Sequence, residues 1–348
     1  MTTTTINAHG IAFIEFSGTR PYLLRDRFFQ MNLREYVHQT HKDMTFHHSG
    51  EVYFISNPTS GGHAEKFRRV HQRGVSAIGL LVDDSAVAYQ QALALQAQPA
   101  SAVDYDIPAI NGVGETLIYL VDKRRQQQLF AEFGFNVDRE HTVYSGIFRV
   151  DHLTHNLKPG GIAKYKNFYQ RLFGFESVRS FEIEGKKTGL YSEVVASQDG
   201  RVIIPLNETR DEKSQIAEFI QNFNGEGVQH IALHTRDIYA TVDQLAVNGI
   251  QFQDTPDTYY DLIDCRLPNH GEEVERLRQT RILIDGGAAQ GGGFLLQIFT
   301  KNSIGPIFFE YIQRKGNQGF GEGNFQALFE SIELDQIRRG VIQVPDNA

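Results

Sequence analysis

Cysteine is nearly absent: Cys265 stands alone in 348 residues. One thiol makes no internal disulfide and builds no multi-thiolate zinc or iron–sulfur site. That usage suits a reducing compartment, so a cytoplasmic location is expected. Tryptophan is missing and methionine occurs three times. No apolar run reaches the ~18 residues of a membrane-spanning helix. The opening stretch MTTTTINAHGIAFIEFSG has neither a basic start nor a long apolar run, so no secretion signal is expected. Positive charge is short as well. The 34 Lys and Arg face 42 Asp and Glu, a net charge of -8, which disfavours a nucleic-acid binder working through bulk charge. The motifs GxxxxGK(S/T), HExxH and GxSxG do not occur. The glycine-rich GFGEGNF from Gly319 fails the dinucleotide pattern because Asn324 stands where the third glycine belongs. The run GGAAQGGG from Gly286 reads as a loop between two strands of a hairpin.

What is present looks like an ordinary globular protein, 41% hydrophobic and rich in phenylalanine (25) and tyrosine (14). The length suits about two domains. An internal repeat organises the chain. GVSAIGLLVDD from Gly74 echoes GVQHIALHTRD from Gly227, and AFIEFSG from Ala12 echoes VDHLTHN from Val150 more weakly. Each copy is a strand-like run followed by an amphipathic stretch. After Gly227 the helical stretch carries Val242, Leu245 and Ala246 on one face and stops at Gly249; after Val150 it closes on Gly174. TGLYSEVVAS, VIIPLN, GFLLQIFTK and GPIFFEYIQR read as further strands. This is α+β architecture in small modules, two per half, with a boundary between about Gly134 and Ser145. The tail NFQALFESIELDQIRR reads as a helix capped by Asn324, with Phe325, Leu328, Phe329 and Ile332 on its apolar face.

The repeat carries chemistry. Aligned by its echoes, the first half has Ile14 where the second has His152, and Ala77 where it has His230. Imidazoles restricted to one copy suggest that one half holds a metal. Glu310, in an aromatic strand, supplies the acid, since an isolated buried carboxylate is costly. Two imidazoles and a carboxylate on neighbouring strands match the facial triad of non-haem Fe(II), with positions left open. Plainer readings stand beside this one. His152 can be a hydrogen-bonded core histidine, and Glu310 can pair with Arg314. His155 points to the opposite face from His152, and His234 lies about 13 Å along the strand from His230. The cluster His38, His41, His47 and His48 reads as solvated surface.

The second half strongly resembles the 4-hydroxyphenylpyruvate dioxygenases, a branch of the vicinal-oxygen-chelate (glyoxalase/dioxygenase-like) family. The matching strings are VDHLTHNL, PLNE, KSQI, GVQHIAL, LLQIFTK, GPIFFEYIQRKG and GFGEGNFQALFESIE. GIAFIEFSG and GVSAIGLLV carry a looser match in the first half. The resemblance implies tandem βαβββ modules, a metal-free domain over residues 1–140, and a catalytic iron domain over 141–348 with a terminal lid helix. It implies one Fe(II) per chain on His152, His230 and Glu310. It places Ser192, Asn207, Gln229 and Gln297 in catalytic roles, and Pro205, Gln215, Phe299, Phe308, Phe320, Asn324 and Phe325 against the substrate. The family reaction turns 4-hydroxyphenylpyruvate and O2 into homogentisate and CO2. A homo-oligomer, dimer or tetramer, is also implied, with no nucleic-acid or membrane partner. The rivals are 4-hydroxymandelate synthase, a catechol-cleaving extradiol dioxygenase, and a non-catalytic binding protein on the same scaffold.

Overall fold

The structure is a computed structural model that describes residues 4–184, 189–209, 211, 214–324 and 326–328. In the first half the elements run β1 (Ala8–Gly18), α1 (Pro21–Gln30), β2 (Arg34–Val37), β3 (Thr45–Ser49), β4 (Val52–Ser56), α2 (His63–His71), β5 (Arg73–Val82), α3 (Ser85–Ala94), β6 (Ala109–Asn111), β7 (Leu117–Val121) and α4 (Lys123–Ala131). The second half continues with β8 (Ile147–Leu157), α5 (Gly161–Phe173), β9 (Glu176–Glu184), β10 (Gly189–Ala196), β11 (Ile203–Glu208), α6 (Gln215–Phe223), β12 (Gly227–Thr235) and α7 (Ile238–Val247). Three short helices follow, α8 (Asp257–Asp261), α9 (Ile263–Arg266) and α10 (Val274–Thr280), then β13 (Leu283–Gly286), β14 (Phe294–Phe299) and β15 (Phe308–Lys315).

The strands divide into two sheets, β2-β3-β4-β1-β5-β7-β6 and β13-β14-β15-β12-β8-β11-β10-β9. One rule builds both. A module's first strand feeds a helix, and its last strand returns parallel to the first, as β1 with β4, β5 with β7, β8 with β11 and β12 with β15. The two modules of each half then join through antiparallel first strands, β1 to β5 and β8 to β12. The second module of the first half has only two strands after its helix. Pro99 there contributes an isolated bridge to Ile110, and proline has no N–H to extend a ladder.

Local chemistry explains the punctuation. Asp84, Asp122, Ser214 and Asp237 cap their helices by accepting backbone N–H bonds. Helix α5 ends on Gly174 at φ 65°, a left-handed conformation that glycine adopts without strain. On α7, Val242 and Leu245 are buried as expected, but Ala246 is exposed. The central strands are covered on both faces, so they read as continuous apolar runs. Phe309 shows why: it packs on Phe16 and Phe54 of the first half at 6.4 and 6.1 Å. Its neighbours Phe308 and Glu310 necessarily face the other way.

The histidine cluster of the first half is not solvated surface. His41 is exposed, but His38, His47 and His48 are buried. Strand β3 has helices and loops over both faces, so a polar-looking sequence is interior. His47 lies 5.0 Å from Phe28 and His48 4.5 Å from Phe135. Burial pulls both imidazoles down to about 4, so they are neutral in the fold. Their contribution is complete above the ordinary value of 6.5 and is lost as pH falls through the folded one. Both ring nitrogens of His48 are buried without partners. We therefore expect His48→Phe to gain stability relative to wild type as pH drops, by about 2 kcal/mol between pH 7.5 and 5. Urea melts at the two pH values check this; a pH-independent difference contradicts it.

Candidate metal centre and substrate pocket

His152, His230 and Glu310 meet on one face of three adjacent strands. In the ladder, His152 and Glu310 both stand opposite Ala232, and His230 is two residues away on the same strand. Donor atoms of the three lie within 4.8 Å of one another. Glu310 Oε2 is 3.2 Å from His152 Nε2 and 3.4 Å from His230 Nε2. Its other oxygen is buried with no partner. Arg314, offered above as an alternative mate for Glu310, forms its ion pair with Asp151 instead. His155 turns away and its Nδ1 approaches the Leu153 carbonyl, while His234 sits beside Arg149 and Asp151.

Two β-bulges aim the imidazoles. On β8 the ladder passes from Val150 to His152 while its partner advances one residue, leaving Asp151 as the extra residue. On β12 it passes from Val228 to His230, leaving Gln229 extra. A bulge turns a side chain that would otherwise point to the far face. Each bulged residue thereby reaches the Nδ1 of the ligand that follows it. Asp151 Oδ1 accepts from His152 Nδ1 at 2.9 Å, and Gln229 Oε1 from His230 Nδ1 at 2.5 Å. With Nδ1 held in these bonds, both Nε2 atoms are directed at Glu310, and Thr154 Oγ1 lies 3.0 Å from His230 Nε2.

The first sheet retains both bulges without the chemistry. Ala12 and Ser76 are its extra residues, and Phe13 stands opposite Gly79 as His152 stands opposite Ala232. The residue at the place of His152 is therefore Phe13, one position from Ile14, which points into the opposite core. The echo between the two strands was one residue out of step. Ala77 does occupy the place of His230, and Tyr119, opposite Gly79, that of Glu310. Phe13 and Tyr119 pack at 5.8 Å and fill that cup with rings.

Electrostatics distinguish the two imidazoles. Burial alone would lower His152, but Glu310 and Asp151 outweigh it and hold the metal-free group up to about 9. His230 is lowered by burial, which Glu310 only partly offsets. Burial would raise Glu310, but the histidines bring it below the ordinary carboxylate value. A cation binding here displaces protons, because metal ligation needs neutral imidazole.

Around the triad lies a set of buried polar atoms without partners: Glu310 Oε1, Gln297 Oε1, Ser192 Oγ, both amide atoms of Asn156, and Asn324 Nδ2. Each such atom costs about 1–3 kcal/mol, so a polar ligand is the natural complement. Asn156, Asn207 and Ser192 form one row across β8, β11 and β10. Asn156 was not among the sequence candidates. It lies four residues beyond His152, on the same face of the strand, and that spacing could have found it. Pro205 is buried on β11 beside the row, opposite Val194. Rings complete the cup. Phe308 stacks on His230 at 4.9 Å, Phe299 stands edge-on to Phe308 at 5.9 Å, and Phe320 meets His152 edge-on at 5.4 Å. Gln215 is exposed at the first position of α6. Phe325, Phe329 and Ile332 lie outside the described residues.

The segment after β15 crosses the mouth of the sheet. Glu322 pairs with Arg179 on edge strand β9, and the Gly323 N–H donates to Asp285 on edge strand β13 at 2.8 Å. A helical turn begins at Glu322, so Asn324 lies within it and does not cap it. Asn324 Oδ1 instead accepts from the Tyr259 hydroxyl at 2.6 Å. Gly321 rests against Gln297: a β-carbon there would lie 2.1 Å from Gln297 Nε2.

Comparison with known proteins agrees with this layout. Residues 3–145 match the family described as hydroxyphenylpyruvate dioxygenase, N-terminal, and residues 149–262 match the glyoxalase/bleomycin resistance protein/dioxygenase superfamily. A 4-hydroxyphenylpyruvate dioxygenase of Legionella pneumophila (strain Corby) is 46% identical over 337 residues, covering 96% of each chain. The chain belongs to the 4-hydroxyphenylpyruvate dioxygenase family. Another relative, hemolysin VllY of Vibrio vulnificus, is 44% identical over 97% of both chains. A solved mutant of 4-hydroxymandelate synthase from Streptomyces coelicolor shares the fold, with a TM-score of 0.78 at 24% identity over 95% of this chain and all of the other.

Two outcomes follow. His152→Ala or Glu310→Ala should lower bound metal, measured after anaerobic Fe(II) loading and desalting, from about one ion per chain toward none; full retention contradicts the ligand set. Gly321→Ala should displace the Gln297 amide and cost about 10- to 100-fold in kcat, with melting temperature as the control; wild-type kcat would count against the packing seen here.

Proposed function

We propose that the protein is an Fe(II)-dependent dioxygenase, one iron per chain, converting 4-hydroxyphenylpyruvate and O2 to homogentisate and CO2. One observation carries this reading beyond family membership. The triad lies against the Phe299 and Phe308 rings, and its sheet carries unpartnered buried polar atoms on Asn156, Ser192 and Gln297, with Asn207 in register between the first two. This complements a molecule with a chelating 2-oxo acid at one end and a phenol at the other. Iron on His152, His230 and Glu310 would supply the redox chemistry with O2.

The remaining work belongs to the chain. Asp151 and Gln229 fix the imidazole tautomers. Phe299 and Phe308 hold the aromatic ring by stacking and exclude water. Asn156, Asn207 and Ser192 offer donors and acceptors to the phenol without adding charge. Gln297 does so nearer the metal. Phe320, Asn324 and Phe325 belong to the segment we assign as a lid, and Pro205 shapes the wall. Exposed Gln215 takes a part only if α6 moves. In this reading residues 1–140 form the metal-free domain and 141–348 the catalytic one. The protein acts in the cytoplasm as a dimer or tetramer. Among the described residues, no helix is long and apolar enough to cross a membrane.

Anaerobic iron loading followed by substrate and O2 tests the proposal. O2 uptake matched by homogentisate, identified by its ring-proton pattern in NMR, is the expected result. A benzylic alcohol on an unrearranged ring would instead assign 4-hydroxymandelate formation. Iron binding without O2 uptake would leave a binding protein.

A further inference from the structure

Asp151, which holds His152 Nδ1, also pairs with Arg314, to which the proposed reaction gives no part. Their side chains are 2% and 7% exposed. Arg314 Nε and Nη2 donate to the two oxygens of Asp151 at 2.9 and 2.7 Å. Arg314 Nη1 donates to the carbonyls of Asn317 and Gly319 at 3.2 and 2.7 Å. The guanidinium also lies over the Phe320 ring, 5.7 Å from its centre. Burying such a pair is expensive, and an apolar pair of similar size often serves stability as well. Behind it, between the two halves, lies a cavity of about 260 Å³ lined by Asp151, Arg314, Arg149 and Gln318. Close packing therefore does not set the orientation of the pair; its hydrogen bonds do.

Those bonds reach two places together. Through Asp151 they end on His152 Nδ1, and through Arg314 on the two carbonyls that shape the turn before Phe320. Phe320 in turn meets the His152 ring edge-on at 5.4 Å. We propose that Asp151 and Arg314 are positioning residues that couple the orientation of His152 to the seating of the 317–320 turn, so that metal binding and closure of the C-terminal segment reinforce each other. The inference rests on the metal reading above. Coupling of this kind is reciprocal: the factor by which seating of the turn through Arg314 raises metal affinity is the factor by which bound metal favours that seating.

The test uses Co(II) binding by calorimetry and chymotrypsin cleavage at Phe320, on the full chain. Asp151→Asn and Arg314→Gln should each weaken Co(II) by about 10- to 100-fold. In wild type, Co(II) should protect Phe320 from cleavage; in Arg314→Gln it should not. Arg179→Gln loosens the same segment through Glu322, a contact that does not involve Asp151. It should speed cleavage, which reads the rare unseated state, while the Asp151–Arg314 link keeps the turn mostly seated, and so leave Co(II) affinity within about twofold of wild type. Arg314→Lys keeps the charge and should fall between wild type and Arg314→Gln, which gives a reading if the glutamine variant does not fold. Unchanged Co(II) affinity in Asp151→Asn and Arg314→Gln, or in Arg314→Lys where that variant is the only one folded, overturns the coupling. An equal loss in Arg179→Gln overturns it too. Failure of wild type to bind Co(II) would instead remove the metal reading itself.

Discussion

The site depends on two bulges in the antiparallel seam between β8 and β12. In a regular ladder, neighbouring residues on a strand face opposite sides, and Asp151 and Gln229 could not approach the ring of the histidine that follows each. The extra residue in each strand removes that prohibition. It holds Nδ1 of each imidazole in a hydrogen bond and so directs each Nε2 at Glu310. The direction of those two nitrogens defines the place where Glu310 and an ion would meet once their protons are displaced. Glu310 reaches it because parallel pairing puts it opposite the same alanine as His152.

The bulges belong to the scaffold and not to the metal. The first sheet has both, with Ala12 and Ser76 at the corresponding positions and Phe13, Ala77 and Tyr119 where ligands would stand. The buried carboxylate of that half, Glu15, occupies the place of Thr154. It is hydrogen-bonded by Ser76, Asn57 and the Tyr105 hydroxyl, and burial, with Asp104 nearby, raises it to about 7. The same backbone thus supports a buried polar cluster with unpartnered atoms in one copy and a filled aromatic core in the other. The difference is made by a few side chains.

Much of this was legible in the sequence because it depends on patterns that survive without coordinates. Apolar runs ended by glycine gave the strand–helix order, and chemistry confined to one copy of the repeat pointed to His152 and His230. A costly acid among phenylalanines pointed to Glu310. What escaped notice is what a bulge hides. An extra residue changes no composition, so the match of Ala12 to Val150 slipped by one, and Ile14 was set against His152 in place of Phe13. The approach of Asp151 to the ring that follows it is hidden for the same reason. His47 and His48 were misjudged because five residues of TFHHS are too few to show which faces are covered. Asn156 was overlooked although simple alternation from His152 leads to it. Gln215 shows the opposite limit: a family position transfers readily, but whether a side chain at a helix start points inward is decided by packing that no local string encodes.

The ring-filled cup has an evolutionary consequence. The rings of Phe13 and Tyr119 leave no place for a ligand between them, so changes at those two residues register as lost protein abundance. The other half keeps unsatisfied atoms that its own stability would not select, and changes there register first as altered turnover. Duplication has in this way separated durability from chemistry within one chain. Each copy is then free to drift under a different selective pressure.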